Sequence, residues 1–126
     1  MEFFATAPSP WGAEEIQKQI TPDRLPVFCE AIAVVIRSDG HGGHYHTDWG
    51  EFEITWQAIR GGLRMSMPTC PNVFSWSITT ALPPDEQQLV VHATINRTEH
   101  DPDFIESLEE FVQAWVVGIQ THSSRC

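Results

Sequence analysis

The sequence predicts an α+β domain: a five-stranded antiparallel meander sheet with an N-terminal helix and a long C-terminal helix packed on one of its faces. Three observations carry that expectation. Residues 51–58 and 74–79 alternate apolar and polar side chains, the pattern of strands with one buried face. The links between the apolar runs of the middle of the chain are too short for crossover helices, so consecutive strands pair antiparallel. Near each end, a capping residue followed by proline, Ser9-Pro10 and Asp101-Pro102, opens an amphipathic segment.

The first helix is expected from about Pro10 to Ile20, with Glu14 and Glu15 at its positive end and Ala13, Ile16 and Ile20 inward. Thr21-Pro22 ends it, because a residue before proline is pushed out of the α region. In residues 27–37, Phe28, Ala31, Ile32 and Val35 fit a helical stripe, while the β-branched run Ile32 to Ile36 fits a strand; strand is favoured from Ala31. Ser38-Asp39-Gly40 with Gly42 and Gly43 reads as a glycine-rich hairpin turn. In the next strand Phe52, Ile54, Trp56 and Ala58 point inward, and Gly61-Gly62 turns it into a strand over residues 63–67. Residues 68–72 form a loop, and Phe74, Trp76 and Ile78 face inward from the fourth strand. After a turn at Pro83 to Glu86, the last strand carries Leu89, Val91, Ala93 and Ile95 on its inner face. The closing helix runs from about Asp101 to Gly118. Its apolar stripe joins Phe104, Leu108, Phe111 and Trp115 to Ile105, Val112, Val116 and Ile119.

No repeat or linker divides the chain, so residues 1–126 read as one domain, with residues 1–8 flexible and 121–126 a frayed tail. Seventeen Asp and Glu against seven Lys and Arg give a formal charge of −10, which repels phosphate backbones and anionic membranes. Nucleic acid and membrane are thereby excluded as partners. Three Cys without a CxxC spacing give neither a disulfide framework nor a thiolate zinc site, and a reducing cytoplasm is the expected compartment. Cys126 is expected to be an exposed thiol.

One local cluster has the chemistry of a metal site. His41, His44, His46 and Asp48 lie within a glycine-rich stretch, with Glu51 following, and imidazole nitrogens suit a divalent transition metal. His44 and His46, two residues apart, share one face of a strand. His44-Tyr45-His46 followed by Glu51 resembles the ligand part of the first cupin motif, in which two His and a Glu on a barrel hold a divalent metal. The sequence departs from that motif at Ser38 and Ala58, where glycines belong.

The sequence contains no nucleophile elbow, P-loop, HExxH or dinucleotide-binding glycine fingerprint. A small acidic α+β domain of this kind reads as a non-enzymatic protein-binding or accessory module, similar in size, acidity and element order to small secretion chaperones and immunity proteins. Its partner is another protein or a second copy. The broad stripe of the last helix points to Val117, Val116 and Trp115 as contact residues, together with Trp49. The alternative is a metal-binding protein or metal-dependent enzyme using the hairpin from His41 to His46.

Overall fold

The structure is a computed structural model describing residues 1–80 and 87–123; the turn expected at Pro83 to Glu86 and the thiol of Cys126 lie outside these residues. Strand β1 (Glu2–Pro8) is followed by α1 (Ala13–Gln19), a single 3-10 turn (Pro22–Arg24) and α2 (Leu25–Phe28). Strands β2 (Ile32–Asp39), β3 (Gly42–Thr47), β4 (Gly50–Ile59), β5 (Gly62–Ser66), β6 (Ser75–Thr80) and β7 (Gln88–Thr94) precede α3 (Pro102–Ser123). The seven strands form one antiparallel sheet in the order β1-β7-β6-β5-β4-β3-β2. The five-stranded expectation is therefore wrong by two strands, and the sheet has linear order with β1 and β2 as its edges, not the barrel a cupin motif implies.

Each missed strand hides its alternation. In β1 the buried residues are Phe3, Ala5 and Ala7, but Phe4 beside Phe3 and the weak apolar contrast of alanine leave no visible period. Residues 1–8 are thus a paired edge strand, with Phe3 opposite Ala93 and Ala5 opposite Val91. In β3 consecutive glycines take one position on each face, so no apolar period is visible there. A Cβ on Gly42 would stand 2.1 Å from the Ile54 carbonyl oxygen, and one on Gly43 2.3 Å from that of Arg37. These glycines serve close strand approach as well as the turn, which is confined to residues 40–41.

The two expected helices differ from expectation at their ends, whereas the 3-10 turn and α2 were not expected at all. Helix α1 is capped by Gly12, while the Ser9 hydroxyl accepts from the Trp11 N–H at 3.3 Å. Asp101 does cap α3, its carboxylate accepting from the Asp103 N–H at 2.8 Å. That helix continues through Gly118 to Ser123. Helix α1 lies on β5 and β6, and α3 crosses β1 and β7. Small Ala5, Ala7 and Ala93 let α3 approach that side of the sheet, while Phe74, Trp76, Phe111 and Trp115 fill the space between. Trp76 is buried as expected; Trp56 is only partly buried, its indole N–H donating to the Ile20 carbonyl at 2.8 Å, and Ala58 faces solvent.

Tyr45, inward on β3, donates its hydroxyl to the Pro22 carbonyl at 2.6 Å and so ties the sheet to the helical crossing. Burial pushes its pKa up to about 12, and burial likewise pushes the Cys29 thiol up to about 12. Both groups are protonated in the folded chain over a range where the unfolded chain ionises them near 9 and 10. The unfolded state then holds fewer protons, so the contribution of both groups is complete below about pH 9 and is lost as pH rises toward about 12. Denaturant titrations at stepped alkaline pH are expected to show that fall, with a shallower slope in Tyr45→Phe. Cys29 should resist an aromatic disulfide reagent until the chain unfolds, whereas partly exposed Cys70 reacts in the native protein.

Between β5 and β6, Val73 adopts φ 50°, a left-handed conformation that costs a β-branched residue about 1–2 kcal/mol. Its side chain is 61% exposed, so little packing offsets the strain. Val73→Asn should raise stability by about 1 kcal/mol, read from the urea midpoint.

Candidate functional site

The short helix α2 and the last three turns of α3 meet along an unusually close contact. A Cβ on Gly118 would lie 1.7 Å from the Phe28 carbonyl oxygen, so the two backbones touch where only glycine fits. Phe28 is 2% exposed; its ring meets Trp11 and His122 edge-on, with centroids 5.9 and 5.1 Å away, and the Arg24 guanidinium lies 5.3 Å from its centroid.

Beside this contact runs an open groove of about 500 Å³. Pro26, Val27, Phe28, Ala114 and Val117 supply its apolar wall, and Glu30 and Glu110 its carboxylates. Val27 and Val117 remain 45% and 60% exposed. The ion pairs among the described residues join His44 to Glu51 and His92 to Glu2, leaving Glu30 and Glu110 unpaired. A second hollow of about 450 Å³ lies on the other flank of α3, lined by Glu2, Phe3, Phe4, Glu109, Val112 and Gln113. Gln113 borders both.

The five predicted metal ligands do not assemble. His41 occupies the turn before β3 and Asp48 the turn after it, so the six residues of that strand, about 20 Å of chain, keep them apart. His44 and His46 do share the outer face of β3, where the His44 Nε2 lies 2.7 Å from the Glu51 Oε1. Among the described residues no three His, Cys, Asp or Glu side chains form a group able to hold a metal ion.

The predicted contact residues also separate. Trp115 is fully buried and Val116 is 5% exposed, both in the core. Trp49 is partly buried against Phe74, Phe104 and Phe111, its indole N–H donating to the Ser107 hydroxyl at 3.0 Å. Only Val117 of the four stands open. Sequence reasoning missed Val27, Glu30 and Glu110, because the groove exists only once α2 and α3 are brought together. Gly118 carried a readable signal: a glycine inside an otherwise continuous helical stripe marks close backbone approach.

Gly118→Ala should force α2 away from α3 and cost about 1–3 kcal/mol, the usual penalty of overpacking. The loss would appear in the urea midpoint, together with faster amide exchange at Val27, Phe28 and Cys29.

No protein-family model matches the chain, and no curated protein matches it. Solved structures do. An uncharacterised protein from Bacillus thuringiensis superposes with a TM-score of 0.69 at 12% identity, over 97% of this chain and 98% of its own. The protein XoxI from Bacillus cereus gives 0.69 at 12% identity, over 98% of this chain and 96% of its own. A START superfamily protein from Mycobacterium smegmatis gives 0.67 at 12% identity, over 98% of this chain and 97% of its own. With seven antiparallel strands, two short helices between β1 and β2 and one long C-terminal helix, the chain has the START-like fold along nearly its whole length.

Proposed function

We propose that the chain is a non-catalytic accessory module that binds a partner protein through the groove between α2 and α3. The observation that carries this reading is the half-exposed pair Val27 and Val117 on a groove of about 500 Å³ whose floor, Phe28, is already buried. Apolar side chains fixed at the rim of a concave site gain burial on docking without reorganising the fold. The charge of −10 keeps such a surface soluble while it is empty. A photo-crosslinking residue at position 117 should capture a protein of defined mass from a lysate of the source cells, and one at position 53, on the outer face of β4, should not. Equal capture from both positions, or none from 117, would remove the reading.

A second reading, a small apolar ligand admitted when the aromatic rings that fill the space between sheet and α3 part, rests on Trp76 and Trp115. Their indole N–H groups are buried without an acceptor among the described residues, and the two rings lie 6.4 Å apart. An unpaired buried donor costs about 1–3 kcal/mol, and a ligand oxygen in the aromatic layer would relieve it. Native mass spectrometry of freshly purified protein tests this: a bound organic molecule released on unfolding supports it, and a bare chain mass counts against it.

A further inference from the structure

We infer that the occupant of the α2–α3 groove is a basic segment of the partner, with apolar side chains between its Lys or Arg residues; this deepens the protein-binding reading and rests on it. The groove does not end at α3. Gln113 joins it to the second hollow beside β1, so one continuous face crosses the helix from Val27 and Val117 to Phe4. Phe4 is itself 59% exposed, its ring stacked on His92 with centroids 4.3 Å apart.

A face that spans the width of a helix, about 10 Å, and carries a hollow on each flank suits a stretch of polypeptide. A compact small molecule would fill one hollow and leave the other open. Apolar anchors at Val27 and Val117 on one side and Phe4 on the other would receive apolar side chains of the segment.

Among the described residues the charged side chains lining this face are mostly acidic, while the Arg24 guanidinium lies 5.3 Å from the ring centroid of Phe28. Glu30 and Glu110 line the first hollow, and Glu2 and Glu109 the second. Among the described residues Glu30, Glu109 and Glu110 have no ion-pair partner, while one oxygen of Glu2 meets His92 at 3.1 Å. Among the described residues His122 is the one basic side chain lining either hollow. A second copy docking by twofold symmetry would set this largely acidic face against itself, which disfavours self-association through it. A segment bearing Lys or Arg meets no such penalty, and partner charges steer its approach.

The test uses the intact protein, labelled with ¹⁵N, and three synthetic peptides of equal length: leucine with lysine, leucine with glutamine, and leucine with glutamate. Saturable binding of the leucine–lysine peptide is expected, with shifts at Val27, Val117, Gly118 and Phe4, and weaker binding of the other two. The double substitution Glu30→Gln with Glu110→Gln should weaken the lysine peptide about threefold or more. The charge-matched pair Glu53→Gln with Glu99→Gln, neither of which lines either of these two hollows, should leave the affinity unchanged. Equal loss in both pairs would reduce the effect to net charge and overturn the inference. If the glutamine or glutamate peptide binds as tightly at the same residues, the groove reading stands and the basic class falls. Shifts absent from the groove with all three peptides would sink both. Light scattering covers the remaining occupant: a concentration-dependent dimer abolished by Val117→Glu would assign the face to a second copy instead.

Discussion

The aromatic layer between the sheet and the C-terminal helix is the contact on which the rest of the molecule depends. Phe111 stands at its centre, 4.9 Å from Trp76, 5.2 Å from Phe74 and 5.3 Å from Trp49, measured between ring centroids. Most of these contacts are edge-on or tilted, the arrangements that aromatic quadrupoles favour over face-to-face stacking. The rings come from the β3–β4 turn, β6 and its preceding loop, and α3, so a single layer binds segments more than sixty residues apart in the chain. Alanines on β1 and β7 make the complementary choice, giving up volume so that the helix can lie close to that side of the sheet.

Elements with strong internal contrast were legible in the sequence. Residues in β4, β6 and β7 declared themselves by alternation, and α3 by its cap at Asp101 and its broad apolar stripe. What escaped was structure whose cause lies elsewhere in the chain. Strand β1 forms because β7 offers it a partner; its own sequence, with two adjacent Phe and two Ala, states no preference for either face. In β3 the strand character of His44 and His46 was legible, but the pairing of Gly42 and Gly43 shows only when Ile54 and Arg37 are seen pressed against their backbone. Gly118 reads in the sequence as the end of α3, whereas it lies within a helix that runs to Ser123 and marks where the Phe28 carbonyl approaches.

The candidate site followed the same division. The histidine cluster looked compact because its members are close in sequence, but an extended strand spreads neighbours apart: His41 and Asp48 finish at opposite ends of β3. What the sequence did place well was the shared face of His44 and His46, which follows from the two-residue period of any strand. For α3 the stripe was expected to be wider than the sheet could cover, but Leu108, Phe111, Val112, Trp115, Val116 and Ile119 are buried and Phe104 and Ile105 partly buried within the chain. The exposed apolar side chain of this helix is Val117, which lies outside the stripe and beside Val27 from a helix too short to show a period of its own.

The contact at Gly118 also sets the phase of the C-terminal helix. A rotation of about 100° in either direction would bring Val117 or Ile119 against the Phe28 carbonyl, where no side chain can enter. Sliding by one residue meets the same obstruction. The glycine therefore works as a keyway, and which flank of the helix looks outward is decided by an absent methyl group and not by the outward residues themselves. Substitutions at Glu106, Glu109, Glu110, Gln113 and Val117 would therefore alter the outer surface of the helix without turning it, and the aromatic layer beneath would stay in register.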